Sequence, residues 1–366
     1  MDQTEKSNNS ALPYFPNLDG LRFVSFVIVF FSHGIVGTTG ILAEYNYLAF
    51  TGLDFFFVLS AFLITYRLLY EQRLHGVISF RRFMYRRSLR VWPLYFLTVG
   101  AGFSIYYLAK FASLSLTPLP PAWTFLTFTV NFWMANHGTS FLFFMVFLWS
   151  ICLEEQFYLL LGLLMRFFNA MLVPFALLLV AASLTFRFQN HGQPLQLLYN
   201  SISLAGSFGV GTLTAWLGFH YRDRICNAFA DHRIFWVVFY LLFIFNLVVF
   251  PFVYDSYPFD LLDRPILWLF MAFVIIGQCL PIKSFLPMGN LNLFRYLGKI
   301  SYGMYIFHGI FILLIMRIPY QFEAGGIYHL LLRPALIFGL TILSASISFR
   351  YFEQPFLRLK SRLSGI

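Results

Sequence analysis

Residues 52–64 read GLDFFFVLSAFLI and lie in a run, 46–66, whose only charged residue is Asp54. As a helix, a run of that length reaches about 30 Å, the thickness of a bilayer's hydrocarbon core. An acidic side chain near the middle of such a span costs about 2.5–3.5 kcal/mol even on lenient insertion scales. It therefore needs a partner, an aqueous cavity or a task. The stretch reads as a membrane-spanning helix that carries chemistry.

The rest of the chain has the same character. Of 366 residues, 59% are apolar and 11% charged, and the mean hydropathy is +0.73. Soluble domains carry about 25% charged residues, so a soluble globular enzyme, a disordered chain and a disulfide-stapled secreted domain are excluded. The length would allow two or three soluble domains, but no polar block between residues 20 and 350 is large enough to be one. The expectation is an all-α, polytopic integral membrane protein with a single domain, 1–366, including short tails at 1–17 and 358–366. Apolar runs predict about ten spans: 20–38, 46–66, 91–112, 148–168, 172–190, 201–219, 234–254, 264–282, 300–318 and 330–350. The segment 122–147 is apolar and aromatic but is broken by Asn131, Asn136, His137 and Gly138. It reads as re-entrant or interfacial.

The formal net charge of +10 would suit nucleic acid until the charges are placed. With ten spans, 20 of the 25 Lys and Arg residues fall on the side that holds both termini. That asymmetry follows the positive-inside rule and predicts cytoplasmic termini in a multi-pass protein of the cell (inner) membrane, with no nucleic-acid partner. Cys152, Cys226 and Cys279 have no metal-ligand spacing, and no metal is expected. The N-terminus has neither a basic n-region nor a cleavage site, so no signal peptide is expected.

Several spans carry ionisable residues. Arg22 and His33 share the first, about 16 Å apart along the axis and on roughly one face. The bland reading is a snorkelling arginine and a packed histidine. Asp54 comes at a depth comparable to His33, which makes it an orienter or counter-ion for that ring. Glu154 and Glu155 open the fourth span in WSICLEEQFYLLL. They point about 100° apart, so at most one faces a given site. The bland reading is a carboxylate pair at a helix N-terminus. His308 reads as a packing residue. In FRRFMYRRSLRVWPLYF, Arg82, Arg86 and Arg90 recur every four residues with Arg81 and Arg87 beside them. Such a stripe suits phosphate oxygens or anionic lipid headgroups. Basic groups at the cytoplasmic face and a His/Asp/Glu set in the outer half suit transfer from a phosphorylated cytoplasmic donor to an acceptor in or beyond the membrane.

Six segments in order resemble the membrane acyltransferase 3 family, which includes polysaccharide O-acetylases. They are LDGLR with His33 downstream, GLDFFFVLSAFLI, RRSLRVWPLYF over Arg86–Phe96, WSICLEEQFYL over Trp149–Leu159, LGKISYGMYIFH over Leu297–His308, and FRYFEQPF near the C-terminus. Ala61 and Cys152 depart from the family's usual Gly and Ser. The resemblance implies an acyltransferase with no tightly bound cofactor. Acyl-CoA, most often acetyl-CoA, would be the co-substrate and a hydroxyl of a saccharide or lipid-linked glycan the acceptor. It implies His33 as general base, with Asp54, Glu154 or Glu155 as its orienter and Arg22 at the reacting centre. Arg82, Arg86, Arg87, Arg90 and Tyr95 would belong to the donor side. Larger relatives carry an extracytoplasmic esterase-like domain. None is expected here, which calls for either direct transfer or a separate extracytoplasmic partner. The alternative reading is a transporter or flippase of a lipid-linked or anionic intermediate, which would move substrate without consuming acyl-CoA.

Overall fold

The computed structural model describes residues 14–31, 33, 48–229, 232–253, 263–279, 287–316 and 331–362. Among these residues there are helices and turns and no strand. The helices that build the site are α1 (Pro16–Phe31), α2 (Leu48–His75) and α3 (Phe80–Phe111), followed by the short α4 (Ala122–Leu126), α5 (Val130–His137) and α6 (Phe143–Val146). Then come α7 (Leu148–Phe167), α8 (Leu172–Gln189), α9 (Pro194–Tyr199), α10 (Ser201–His220), α11 (Arg222–Phe229), α12 (Arg233–Val253) and α13 (Asp263–Cys279). The chain closes with α14 (Asn292–Lys299), α15 (Ser301–Met316), α16 (Arg333–Ser348) and α17 (Gln354–Arg362), the last two joined by a π turn at Phe349–Glu353.

Among the described residues, six helical stretches are long and apolar enough to cross a membrane, and eight are if the two bent pairs, α11 with α12 and α14 with α15, each count as one span. The predicted ten included 20–38 and 264–282. Their described helices, α1 and α13, are 16 and 17 residues long, and apart from His33 the remainder of both predicted spans lies outside the described residues. The segment 122–147 is a chain of short helices, none long enough to span, and the last of them leads into α7.

Packing is organised by α2. It is apolar on every side, and a helix without a polar face belongs in an interior. Leu53, Phe57, Ala61, Ile64 and Leu68 of α2 join one core with α1, α3, α7 and α15. Phe55, Val58, Leu59, Phe62 and Tyr66 join a second core with α10, α12 and α13. In contrast, α8 and α12 expose Leu177, Leu178, Phe188, Leu241, Leu242 and Phe245, as helices facing lipid do. Without water to drive burial, helices in a bilayer associate through close packing and small residues. Gly211 of α10 illustrates this: a Cβ there would lie 2.3 Å from the Val58 carbonyl oxygen of α2. At Gly298 of α14 a Cβ would lie 1.8 Å from the Asp19 oxygen of α1, so those two backbones touch.

The third helix differs from its prediction at the start. Ser79 caps it by accepting from the Arg82 N–H at 3.4 Å, and the helix is continuous for 32 residues. The expected span began at residue 91. The arginine run is therefore the first part of the helix itself, which carries Arg87 and Arg90 into the bundle.

Candidate active site

The helices leave a chamber of about 620 Å³, its mouth included, between α1, α2, α3, α7 and α15. Arg22, Arg87, Arg90 and Glu154 supply its charge, and Ser60, Ser150, Tyr302 and Tyr305 its hydroxyls. Leu53, Phe56, Phe57, Val91 and Ile151 form an apolar wall.

Each charged group is held differently. Arg22 bonds Asp19, three residues earlier on α1, at 3.0 Å, and the other Asp19 oxygen accepts from the Tyr14 hydroxyl at 2.7 Å. Burial and that carboxylate push the Tyr14 hydroxyl up to about 12. Arg87 bonds Glu154 at 3.1 Å, donates to the Tyr158 hydroxyl and lies 4.0 Å from the centroid of the Tyr158 ring, a cation–π arrangement. Ser60 also donates to Glu154, at 2.8 Å. Arg90 has no hydrogen bond or ion pair among the described residues, although Glu353 lies within electrostatic reach. Three guanidinium groups thus line the chamber against the carboxylates of Asp19 and Glu154.

His33 is not in the lining. Its ring packs 4.9 Å from Phe147 and 5.3 Å from His308, and His308 lies 5.4 Å from the chamber-lining Tyr305. His33 is therefore two ring contacts away from the cavity. Its Nδ1 is 2.5 Å from the Val29 carbonyl oxygen. A carbonyl can only accept, so Nδ1 carries the proton and Nε2 presents its lone pair. The same holds for His308, whose Nδ1 is 2.5 Å from the Tyr305 carbonyl oxygen and whose buried Nε2 has no partner.

This geometry corrects several expected roles. Asp54 does not orient His33. It is fully buried and ion-paired to Arg264 of α13. A backbone carbonyl fixes the His33 tautomer instead. Only Glu154 of the adjacent pair reaches the chamber, as the 100° offset requires. Glu155 turns away and accepts from the Trp92 indole at 3.0 Å. The arginine stripe splits. Arg87 and Arg90 enter the chamber, whereas Arg86 lies 3.9 Å from Glu71 on α2 and Arg82 lies outside the lining. Tyr95 is buried away from the chamber, donating to the Phe125 carbonyl at 2.9 Å beside the Cys152 sulfur. Nor are the arginines and the carboxylates kept to opposite halves of the bundle, since Arg87 and Glu154 are in contact. Tyr302 and Tyr305 escaped the sequence reading. So did Asp19, although its i,i+3 spacing to Arg22 was visible.

Residues 15–350 match a family model described as an acyltransferase domain. The chain belongs to that acyltransferase family. A candidate peptidoglycan O-acetyltransferase, YrhL of Bacillus subtilis (strain 168), is 27% identical over 93% of this chain and 55% of its own length. The peptidoglycan O-acetyltransferase OatA of Listeria monocytogenes is 25% identical over 93% of this chain and 56% of its own. The O-acetyltransferase OatA of Staphylococcus aureus is 29% identical over 42% of this chain and 25% of its own. The chain thus spans about half the length of the curated relatives it matches end to end. No solved structure matches it. All six segments that carried the resemblance in the sequence contribute to the chamber or its walls or fall within the matched region, apart from the end of the last.

Proposed function

We propose that this acyltransferase moves an acetyl group from acetyl-CoA to a hydroxyl of a cell-envelope glycan, peptidoglycan being the acceptor that the relatives' names suggest. The observation that carries the reading is the chamber, in which Arg22, Arg87, Arg90 and Glu154 line one cavity whose Tyr305 packs on His308, which in turn packs on His33. Guanidinium groups suit the donor's phosphates and the developing oxyanion. A histidine with Nδ1 tied to a carbonyl suits a general base.

In this scheme His33 Nε2 takes the acceptor's hydroxyl proton as its oxygen attacks the thioester carbonyl. A tetrahedral oxyanion forms while the chamber arginines hold the donor's phosphates. The C–S bond then breaks, and the leaving thiolate recovers the proton from the imidazolium. Glu154 and Ser60 hold Arg87 in place and act on substrate only through it. The positive-inside count supports cytoplasmic termini in the inner membrane, so the donor would enter from the side of the α2–α3 turn.

The test is acetyl-CoA binding and transfer by the full chain in detergent. His33→Ala should lower transfer by about 10²–10⁴-fold, the range of a lost general base, with donor affinity unchanged. Retained turnover would remove His33 from the chemistry, and a wild type that ignores acyl-CoA would sink the donor assignment.

A further inference from the structure

Arg67 belongs to none of the segments that carry the family resemblance, and the reading above gives it no role. It sits on α2, seven residues after Ser60. Seven residues return a helix to within about 20° of its starting direction and advance it about 10 Å. Arg67 therefore continues the face that gives Leu53, Phe56, Phe57 and Ser60 to the chamber, two turns closer to the α2–α3 turn.

Its side chain is enclosed but unclaimed. The Nε is buried without a hydrogen-bond partner, and among the described residues no carboxylate or carbonyl takes the guanidinium. Arg22, Arg86 and Arg87 lie within its electrostatic reach together with Asp19, and Arg90 lies within reach of Arg22, Arg67, Arg87 and Asp19. A snorkelling arginine would stretch toward water from the end of its helix. Arg67 lies eight residues before the end of α2 and turns into a cluster of its own charge. Of the four guanidinium groups, those of Arg22 and Arg87 are ion-paired to Asp19 and Glu154, Arg90 has only Glu353 within electrostatic reach beyond Asp19, and Arg67 has no ion pair among the described residues. Removing cations from water without matching anions is costly, so a basic surplus in an enclosed place calls for an anion from outside.

We infer that Arg67 is the fourth guanidinium of one polyanion site, and that it binds a phosphate of the donor as the donor enters from the α2–α3 turn. The inference rests on the proposed donor. An acyl-CoA carries a 5′-diphosphate and a 3′-phosphate at the end remote from the thioester, so a row of guanidinium groups leading up to the chamber matches its layout. Arg67 would touch the donor and not the reacting carbonyl.

The experiment measures equilibrium binding of acetyl-CoA, S-acetylpantetheine and inorganic pyrophosphate to the full chain in detergent, for wild type, Arg67→Ala and Arg67→Lys. Acetyl-CoA should bind about ten- to a hundred-fold more weakly to Arg67→Ala, as for a lost charge-assisted contact. Arg67→Lys should recover part of that loss. S-acetylpantetheine, which has no phosphate, should bind wild type and both variants alike. Equal weakening of both thioesters marks a structural role and overturns the inference, as does unchanged acetyl-CoA affinity in Arg67→Ala. If wild type binds no acetyl-CoA, the donor reading fails. Pyrophosphate binding that is lost in Arg67→Ala would still uphold the anion site, and pyrophosphate binding that does not depend on Arg67 would end it.

Discussion

Arg187, Asp263, Arg264 and Asp54 tie α8, α13 and α2 together with two positive and two negative side chains, whereas the chamber sets Arg22, Arg87 and Arg90 against Asp19 and Glu154. In the first group Asp263 lies 3.6 Å from Arg187 and 3.5 Å from Arg264, and Arg264 is bonded to Asp54. Every charge there has a counterpart within the protein, and the group holds three helices in register. In the second, Arg90 has no ion pair of its own among the described residues. Buried charge alone therefore does not mark a reactive site. A balanced group serves the fold, and an unbalanced one is built for something that arrives.

The sharpest way to break this contrast is Asp54→Ala. It should cost about 3–5 kcal/mol of stability, because it strands Arg264 without its buried partner. Thermal unfolding in detergent measures that loss, and replacing Arg264 by Met in the same chain should recover much of it. Protein that still folds should keep wild-type donor affinity. A well-folded Asp54→Ala that had lost transfer would return Asp54 to the catalytic set. Next in size is the comparison of Arg90 with Arg86. Arg90→Ala should raise the KM for acetyl-CoA about ten- to a hundred-fold, the range of a charge-assisted contact. Arg86→Ala should leave the KM within about twofold and cost less than about 1 kcal/mol, as for a partly solvated pair. Equal effects would mean that the chamber does not divide the arginine stripe. The smallest effect belongs to Tyr14→Phe, which removes the bond that steadies Asp19 behind Arg22. It should cost about 0.5–1.5 kcal/mol and leave His33-dependent chemistry in place.

Periodicity and composition were enough to read the membrane class, the approximate helices and most of the charged residues worth watching. Partner choice was not legible, because it depends on which faces meet in three dimensions. A four-residue spacing groups Arg82 with Arg86 and Arg90. A three-residue spacing groups Arg87 with Arg90 about as well on a helix, and only the positions of α2 and α7 decide between them. Asp54 was matched to His33 because the two lie at comparable depth, yet its partner is Arg264, 210 positions away. Arg67 went unnoticed because one arginine near the end of a span has an ordinary explanation. Its meaning depends on two other helices, α1 and α3, turning like charges toward it.

The backbone contact between Gly298 and Asp19 places a condition on biosynthesis. Arg22 leaves the ribosome early, but the surface that seats its helix is almost 280 residues further along the chain, and the two tyrosines of the chamber follow just behind it. Contacts that distant in sequence form late. While the chain is being made, its first helix sits in the bilayer without its final neighbour, and the chamber remains unwalled on that side. Tyr302 and Tyr305 do not close the chamber beside Arg22, Arg87 and Arg90 until more than four-fifths of the protein exists.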